Sequence, residues 1–492
     1  MTRPVKPVRA SLRSTRASCD LFQLVPKTKD AEGCGKSIIN MTLGDPCAYG
    51  YHSAPHALGL AACQAASDRS TYGYGTPPSP MGCVGLRKLL SQKYSSPTAS
   101  LEVGDVVVCS GCTGALSVCF QTLILEEEGS HVILPNPCFP LYESLAHAAG
   151  GDVKYSRMKG SEMDFEHMES LIDNKTVAIV LTNPTMPGGL VFSREHLQDL
   201  LQMAKRHHLP VISDEIYGGM VLSSSPKAFT PLASVAGEDQ SPDATPVLTC
   251  TGLGKEYCIP GWRLGWITIT DPAGALSEIR KGIQNLSFTT FGPNRLAQQA
   301  ILNMLMNHQT RLELESYKNK YLHVLDMNAR LVINAINTAE GLFIPHEPEA
   351  GMFILVALDP EKITLSEVSF THQLAETEGL LVSPGCCFAR PPFKGSESAT
   401  QGDASASTGE ETEGEPAPKM VRLVLAVPTE MMEDVVSRLI RFAQSVLVTA
   451  AATDSPCLVN EVNSSPALRL IVPRFQPLFL LDKHKLTGSV MK

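Results

Sequence analysis

The chain has 492 residues, too many for one small core, so a large domain with a smaller companion is expected. Hydrophobic residues make up 43% with charge dispersed along the chain, which excludes a mostly disordered protein, and a net charge of −9 argues against nucleic acid as a main partner. No run reaches the roughly 18 uninterrupted apolar residues that a membrane-spanning helix needs, so no membrane partner is expected.

At the N-terminus, Arg3, Lys6, Arg9, Arg13 and Arg16 precede the first acidic residue, Asp20. That is the composition of an organelle transit segment and equally of a simple basic arm. The fourteen cysteines sit mostly in apolar runs and read as reduced thiols of an intracellular protein, cytoplasmic or, if the leader reading holds, mitochondrial. Cys109-Ser-Gly-Cys112 has the spacing of a metal or redox pair, but no second such pair completes a zinc site, and no metal is expected.

Between about residues 100 and 270, short apolar runs recur: Val106–Cys109, His131–Leu134, Val177–Leu181, Pro210–Ser213 and Trp266–Ile269. Such runs predict strands buried on both faces of a parallel sheet. Amphipathic stretches such as Ser193–Lys205 lie between them and predict crossover helices, giving an α/β architecture whose ligands bind at the carboxyl ends of strands. From about residue 320, Gly351–Ala357 and Val421–Ala426 predict strands of a second, smaller α/β unit. The Ser-, Thr-, Gly- and acid-rich insert at 394–418 predicts a disordered surface loop, and the Pro-broken tail beyond about 450 is too short to cross a membrane. The expected divisions are an arm (1–38), the first part of a small domain (39–75), a large domain (76–320), the rest of the small domain (321–448) and a tail (449–492).

The segment Thr251-Gly-Leu-Gly-Lys255 sets a lysine among glycines eight residues before Arg263, which is framed by Pro-Gly-Trp and Leu-Gly-Trp. By itself a Gly-rich lysine loop reads as solvated surface, with Arg263 as a strand-edge arginine, and it is the rest of the chain that reverses this. A lysine that forms a Schiff base must be unprotonated, and a desolvated site beside another cation favours that state. An aldehyde carrying a phosphate would suit both residues, and pyridoxal 5'-phosphate is that molecule. Such a cofactor needs an acidic partner for its ring nitrogen and a base for proton movement. Asp214 follows an apolar run and suits the first, although an Asp there also serves as a helix cap. Tyr217 follows three residues on, placed for the ring hydroxyl. Ser110 and Thr113 open a helical pattern that can cradle a phosphate, and Phe139 can stack on a ring or simply fill a core.

With Leu43-Gly-Asp-Pro46, Pro137-Cys-Phe-Pro-Leu-Tyr142, Asn183-Pro-Thr-Met-Pro-Gly-Gly189, Ser213-Asp-Glu-Ile-Tyr217 and Val421-Arg422, these segments resemble the fold-type I pyridoxal-phosphate aminotransferases, and among them the tyrosine aminotransferases. The resemblance runs from about Ile39 to Arg441. It implies a large domain around a mostly parallel seven-stranded sheet, a small domain built from both chain ends, and a homodimer with its sites at the interface. By the same resemblance Lys255 carries the Schiff base and moves the proton, Asp214 pairs with the ring nitrogen and Tyr217 with the ring hydroxyl. Ser110, Gly111, Cys112 and Arg263 take the phosphate, and Phe139 the ring face. Arg422 clamps the substrate carboxylate, with Gly44 and Asn183 in the substrate set.

Three positions depart from the family pattern. Met186 stands where the family has an asparagine that donates to the ring oxygen, and a thioether has no N–H. A raised Schiff-base pKa and weaker cofactor binding are therefore expected. The loop Tyr72–Gly82 is about three residues longer than usual, with Tyr74 the candidate that reaches the partner subunit's phosphate. Gly252 replaces a frequent phosphate-binding serine.

The expected activity is transfer of the amino group of L-tyrosine, or a similar bulky amino acid, to 2-oxoglutarate or pyruvate by a ping-pong route. Alanine transamination and carbon-sulfur lyase chemistry are alternatives on the same fold. A degenerate paralogue acting through protein contacts is a third, favoured by Met186, the lengthened Tyr72–Gly82 loop and the unusual tail, and opposed by the intact Lys255, Asp214, Tyr217, Arg263 and Arg422.

Overall fold

The computed structural model describes residues 9–390 except 20, 50–53, 76–78, 126–128 and 340, together with residues 419–452. Arg3, Lys6, the acidic insert at 394–418 and the tail beyond 452 lie outside the described residues. The described residues up to Leu447 belong to one compact unit.

The strands in chain order are β1 (Ile39–Asn40), β2 (Val106–Ser110), β3 (His131–Asn136), β4 (Asp152–Lys159), β5 (Glu162–Met163), β6 (Thr176–Thr182), β7 (Val211–Asp214), β8 (Val247–Gly252), β9 (Leu264–Thr270), β10 (Phe343–Pro345), β11 (Phe353–Leu358), β12 (Leu380–Leu381), β13 (Ser383–Pro384) and β14 (Met420–Val424). Strands β2 to β9 form one sheet in the order β2-β9-β8-β7-β6-β3-β4-β5. Its neighbours from β8 through β4 run parallel, whereas β9 is antiparallel to both β8 and β2. The expected seven strands are thus joined by an eighth, the two-residue β5, which pairs with β4 at the sheet edge.

Every apolar run predicted as a strand forms one. Among the large-sheet strands longer than two residues, two escaped that reading. In β4, near the edge, Ser156 alone is fully buried, so its sequence stays polar; β8 is wholly buried, but Thr249, Cys250 and Thr251 interrupt its aliphatic pattern.

Helices cover both faces of the sheet. On one, Gly111–Leu123 and Leu141–Ala149 pack Leu116, Phe120 and Tyr142 against Val107 and Ile267. On the other, Arg194–Arg206 and Leu232–Ala236 pack Leu197, Leu200 and Leu232 against Ile133 and Val211. Burying such a leucine stabilises the fold by roughly 2 kcal/mol. The helix predicted at 193–205 forms one residue later because Ser193 is its N-cap, accepting from the His196 N–H at 3.2 Å.

A separate four-stranded antiparallel sheet, β10-β11-β14-β13, shares a core with the helices His308–Asn337, Glu367–Glu378 and Thr429–Ala452. Parallel pairing of β1 with β12 ties residues 39–40 to this C-terminal region. In the basic arm, Ser144 Oγ donates to the Ser18 carbonyl at 2.5 Å and Arg16 pairs with Asp152. Among the described residues no helix is long and apolar enough to cross a membrane.

Candidate active site

Because β2, β3, β6, β7 and β8 point the same way, their C-terminal ends meet at one edge of the large sheet, and antiparallel β9 begins there. A cavity of about 270 Å³ opens at this edge, with Gly44, Phe353 and Arg422 as its opposite wall. The placement follows the general rule for ligand sites on open α/β sheets.

Lys255 lies three residues beyond the end of β8 and is half-buried in the cavity wall. Its Nζ donates to the Gly44 carbonyl. Burial lowers its pKa, and the Arg422 and Arg263 guanidinium groups add to the effect, while Asp45 opposes it. The amine is shifted toward the neutral form a nucleophile requires.

Asp214 closes β7 and is 4% exposed. One carboxylate oxygen accepts from the Ile216 N–H at 3.1 Å and the Cys112 thiol at 3.4 Å, the other from Tyr142 Oη at 2.7 Å. Burial raises its pKa, and these three donors pull it back. Tyr217, three residues on, lines the same cavity with its phenol held protonated by burial.

Helix Gly111–Leu123 aims its N-terminal N–H groups at the cavity. Gly111 sits at φ +74, and a Cβ there would lie 2.8 Å from Arg263 Nη2. A Cβ on Gly265 would lie 2.5 Å from the Cys112 nitrogen, so β9 and the helix start approach closely only as glycines. Arg263, at φ 49, donates to the carbonyls of Pro260 (3.2 Å) and Ser110 (3.3 Å). A guanidinium beside free N–H groups at a helix start suits a phosphate.

Arg422 is 2% exposed in β14. Phe353 and Phe388 hold it, with its guanidinium carbon 4.2 and 4.5 Å from their ring centres. Its Nη2 donates to the Thr42 carbonyl (2.8 Å) and Ser383 Oγ (3.4 Å), Nη1 faces the Met186 sulfur at 4.0 Å, and Nε has no partner. Burial pushes its pKa down to about 10. Among the described residues no carboxylate lies within ion-pair distance of it, which leaves a buried cation open to an anionic ligand.

Gly44, Gly111, Cys112, Phe139, Met186, Asp214, Tyr217, Lys255, Arg263 and Arg422 therefore all line one cavity. Three other sequence candidates do not. Ser110 is exposed and meets Arg263 through its backbone carbonyl. Asn183 is fully buried, with its side chain bonded to the Phe192 N–H and the Thr230 carbonyl. Tyr74 is 70% exposed and stacks near Phe291 in a separate surface pocket. Residues missed from the sequence are Tyr142, Thr182, Phe353 and Phe388. Tyr142 had a signal, as the last residue of Pro137-Cys-Phe-Pro-Leu-Tyr142.

This set fits a phosphorylated aldehyde cofactor: an amine tilted toward neutrality, a buried carboxylate with no cationic partner among the described residues, and an anion cradle that a Cβ on Gly111 would fill. Residues 36–398 match the family described as aminotransferase class I and II. Tyrosine aminotransferase of Bos taurus is 32% identical over 456 residues, covering 92% of each chain, and that of Mus musculus 31% identical, covering 92% of this chain and 90% of its own. The solved tyrosine aminotransferase of Leishmania infantum superposes with a TM-score of 0.76 at 23% identity, covering 90% of this chain and 99% of its own. The alanine aminotransferase of Pyrococcus furiosus gives 0.75 at 24%, covering 89% and 100%. At those identities the two structures establish the fold.

Proposed function

The chain belongs to the class I and II aminotransferase family, and on that premise we propose that it uses pyridoxal 5'-phosphate to move the amino group of L-tyrosine, or a similarly bulky aromatic amino acid, to 2-oxoglutarate or pyruvate by a ping-pong route. The observation that carries this reading is the convergence of Lys255, Asp214, Arg263 and Arg422 on one cavity.

Arg263 and the N–H groups of Gly111, Cys112 and Thr113 would hold the phosphate, Asp214 the ring nitrogen, Tyr217 the ring hydroxyl and Phe139 the ring face. Bound there, the cofactor supplies an electron sink that acidifies the substrate Cα–H. Lys255 Nζ, shifted toward the neutral amine, takes that proton and redelivers it. Arg422 orients the substrate by its carboxylate through a planar fork. Once Asp214, Lys255 and Arg263 have these tasks, Arg422 is the one charged lining residue left for substrate, and Val25, Leu43, Ile259 and Phe353 leave an apolar wall. One carboxylate and an apolar or aromatic side chain suit that arrangement.

In this reading residues 76–320 are the cofactor domain, and 39–75 with 321–448 the domain that carries Arg422. A homodimer is part of it: Tyr72, Tyr74 and Phe291 expose 72%, 70% and 61% of their surface around one pocket, an apolar patch a second copy can cover.

The test is the visible absorption of the purified protein with added pyridoxal phosphate, before and after L-tyrosine, beside Lys255→Ala. A band that needs Lys255 and bleaches with tyrosine supports the proposal. No Lys255-dependent band at saturating cofactor overturns it, and bleaching by alanine or cystathionine but not tyrosine overturns the substrate assignment.

A further inference from the structure

Asp214 is 4% exposed, and no lysine, arginine or histidine among the described residues comes within ion-pair distance of it. A buried carboxylate in that position is costly unless hydrogen bonds replace its water. Of its three donors, the Ile216 N–H belongs to the turn that ends β7, and the Cys112 thiol at 3.4 Å is weak. Tyr142 Oη, 2.7 Å from the other carboxylate oxygen, is the strong side-chain donor.

Tyr142 is fully buried and also lies 2.8 Å from Thr182 Oγ1. A phenol has one proton. When Asp214 is ionised that proton points to it, so Thr182 must donate to Tyr142; when Asp214 is protonated the chain can reverse. Direction and charge are therefore linked, and each donor polarises the next. Thr182 is the register partner of Asp214 across β6 and β7, while Tyr142 arrives from the helix Leu141–Ala149. Its ring also meets Phe139 edge-on at 5.7 Å, so one side chain sets two walls of the cavity.

We propose that Tyr142, supported by Thr182, is the positioning residue that keeps Asp214 a carboxylate able to pair with a protonated ring nitrogen. The inference rests on the cofactor reading above. Without the phenol, Asp214 takes up a proton more readily and becomes a donor, which a pyridinium N–H cannot use. The loss falls on recognition of the ring nitrogen and spares the phosphate cradle.

The test compares apo wild type, Tyr142→Phe and Thr182→Val for the dissociation constants of pyridoxal 5'-phosphate and of its analogue with CH in place of the ring nitrogen, by absorbance titration. Wild type is expected to prefer the nitrogen-bearing ring. Tyr142→Phe should cut that preference by about 10-fold and Thr182→Val by about 3-fold, the range for a charge-assisted hydrogen bond and its support. Equal weakening of both ligands assigns Tyr142 a packing role only and overturns the proposal. If Tyr142→Phe does not fold, an unchanged preference in Thr182→Val overturns it instead. Wild type that binds neither ligand overturns the cofactor reading itself, a result distinct from the others.

Discussion

Lys255 Nζ donates to the backbone carbonyl of Gly44, a residue 211 positions earlier in the chain. That bond joins the end of the large sheet to the segment beside β1, and it explains the glycine. A Cβ on Gly44 would stand 2.9 Å from Phe353 Cζ and 3.8 Å from Lys255 Nζ. Phe353 cannot swing freely, since its ring packs on Arg422 and Tyr217.

Gly44→Ala is therefore expected to lower kcat/KM for the amino acid by about 100-fold, the scale of a small misplacement at a reacting centre. Overpacking should cost stability only about 1–3 kcal/mol. Steady-state kinetics and urea unfolding of the same preparation check both numbers; unchanged kinetics would mean that Phe353 yields without cost.

The lowered pKa of Lys255 has a stability consequence in the cofactor-free protein. Between the folded and unfolded pKa values the unfolded chain binds more protons, so stability rises with pH across that window. At neutral pH the burial penalty is present, and it fades toward the ordinary lysine value of about 10.4. Lys255→Met is thus expected to be more stable than wild type at pH 7, with the gap closing by pH 10. Thermal unfolding at several pH values reads this directly, and a gap that does not change with pH contradicts it.

Arg422 stands between two rings, and in the proposed function its remaining donors are for the substrate carboxylate. Lysine keeps the charge but loses both the fork and the stacking. Arg422→Lys should raise KM for the amino acid by about 10–100-fold, with little change in cofactor affinity. Comparable loss of cofactor binding would show that Arg422 serves the ring and not the substrate.

Met186 lines the cavity and lies 4.0 Å from Arg422, with no N–H to offer a ring oxygen. Met186→Asn should tighten cofactor binding by about 5-fold, the value of one ordinary hydrogen bond. It should also lower the pH at which the absorption of the lysine-bound cofactor titrates. Spectrophotometric titration checks both; no movement in either shows that the thioether is tolerated because Tyr217 suffices.

The apolar runs from Val106 to Ile269 were readable because strands buried on both faces need continuous hydrophobicity, a property of local sequence. Lys255 and Arg263 were readable because chemistry demands their residue types and glycine, proline and tryptophan frame them, Asp214 because it closes an apolar run, and Arg422 only through the family resemblance. The near-edge strand β4 and the Thr- and Cys-broken β8 were not, since neither carries that pattern.

Thr182 and Asn183 mark where the sequence stops. They are neighbours, and sequence reasoning favoured the asparagine, yet Thr182 lines the cavity while Asn183 is turned into the interior against Phe192. Side chains at consecutive strand-end positions point to opposite sides, and which side looks onto the cleft depends on the layering of helices and sheet. The same holds for Tyr142, which meets Asp214 from 72 positions away. Sequence determined which chemical groups this protein carries and the mostly parallel sheet that presents them, though not that the run Trp266–Ile269 pairs antiparallel. Tertiary structure alone decided which of them share the cavity, because contacts between distant strand ends and helix starts are set by packing.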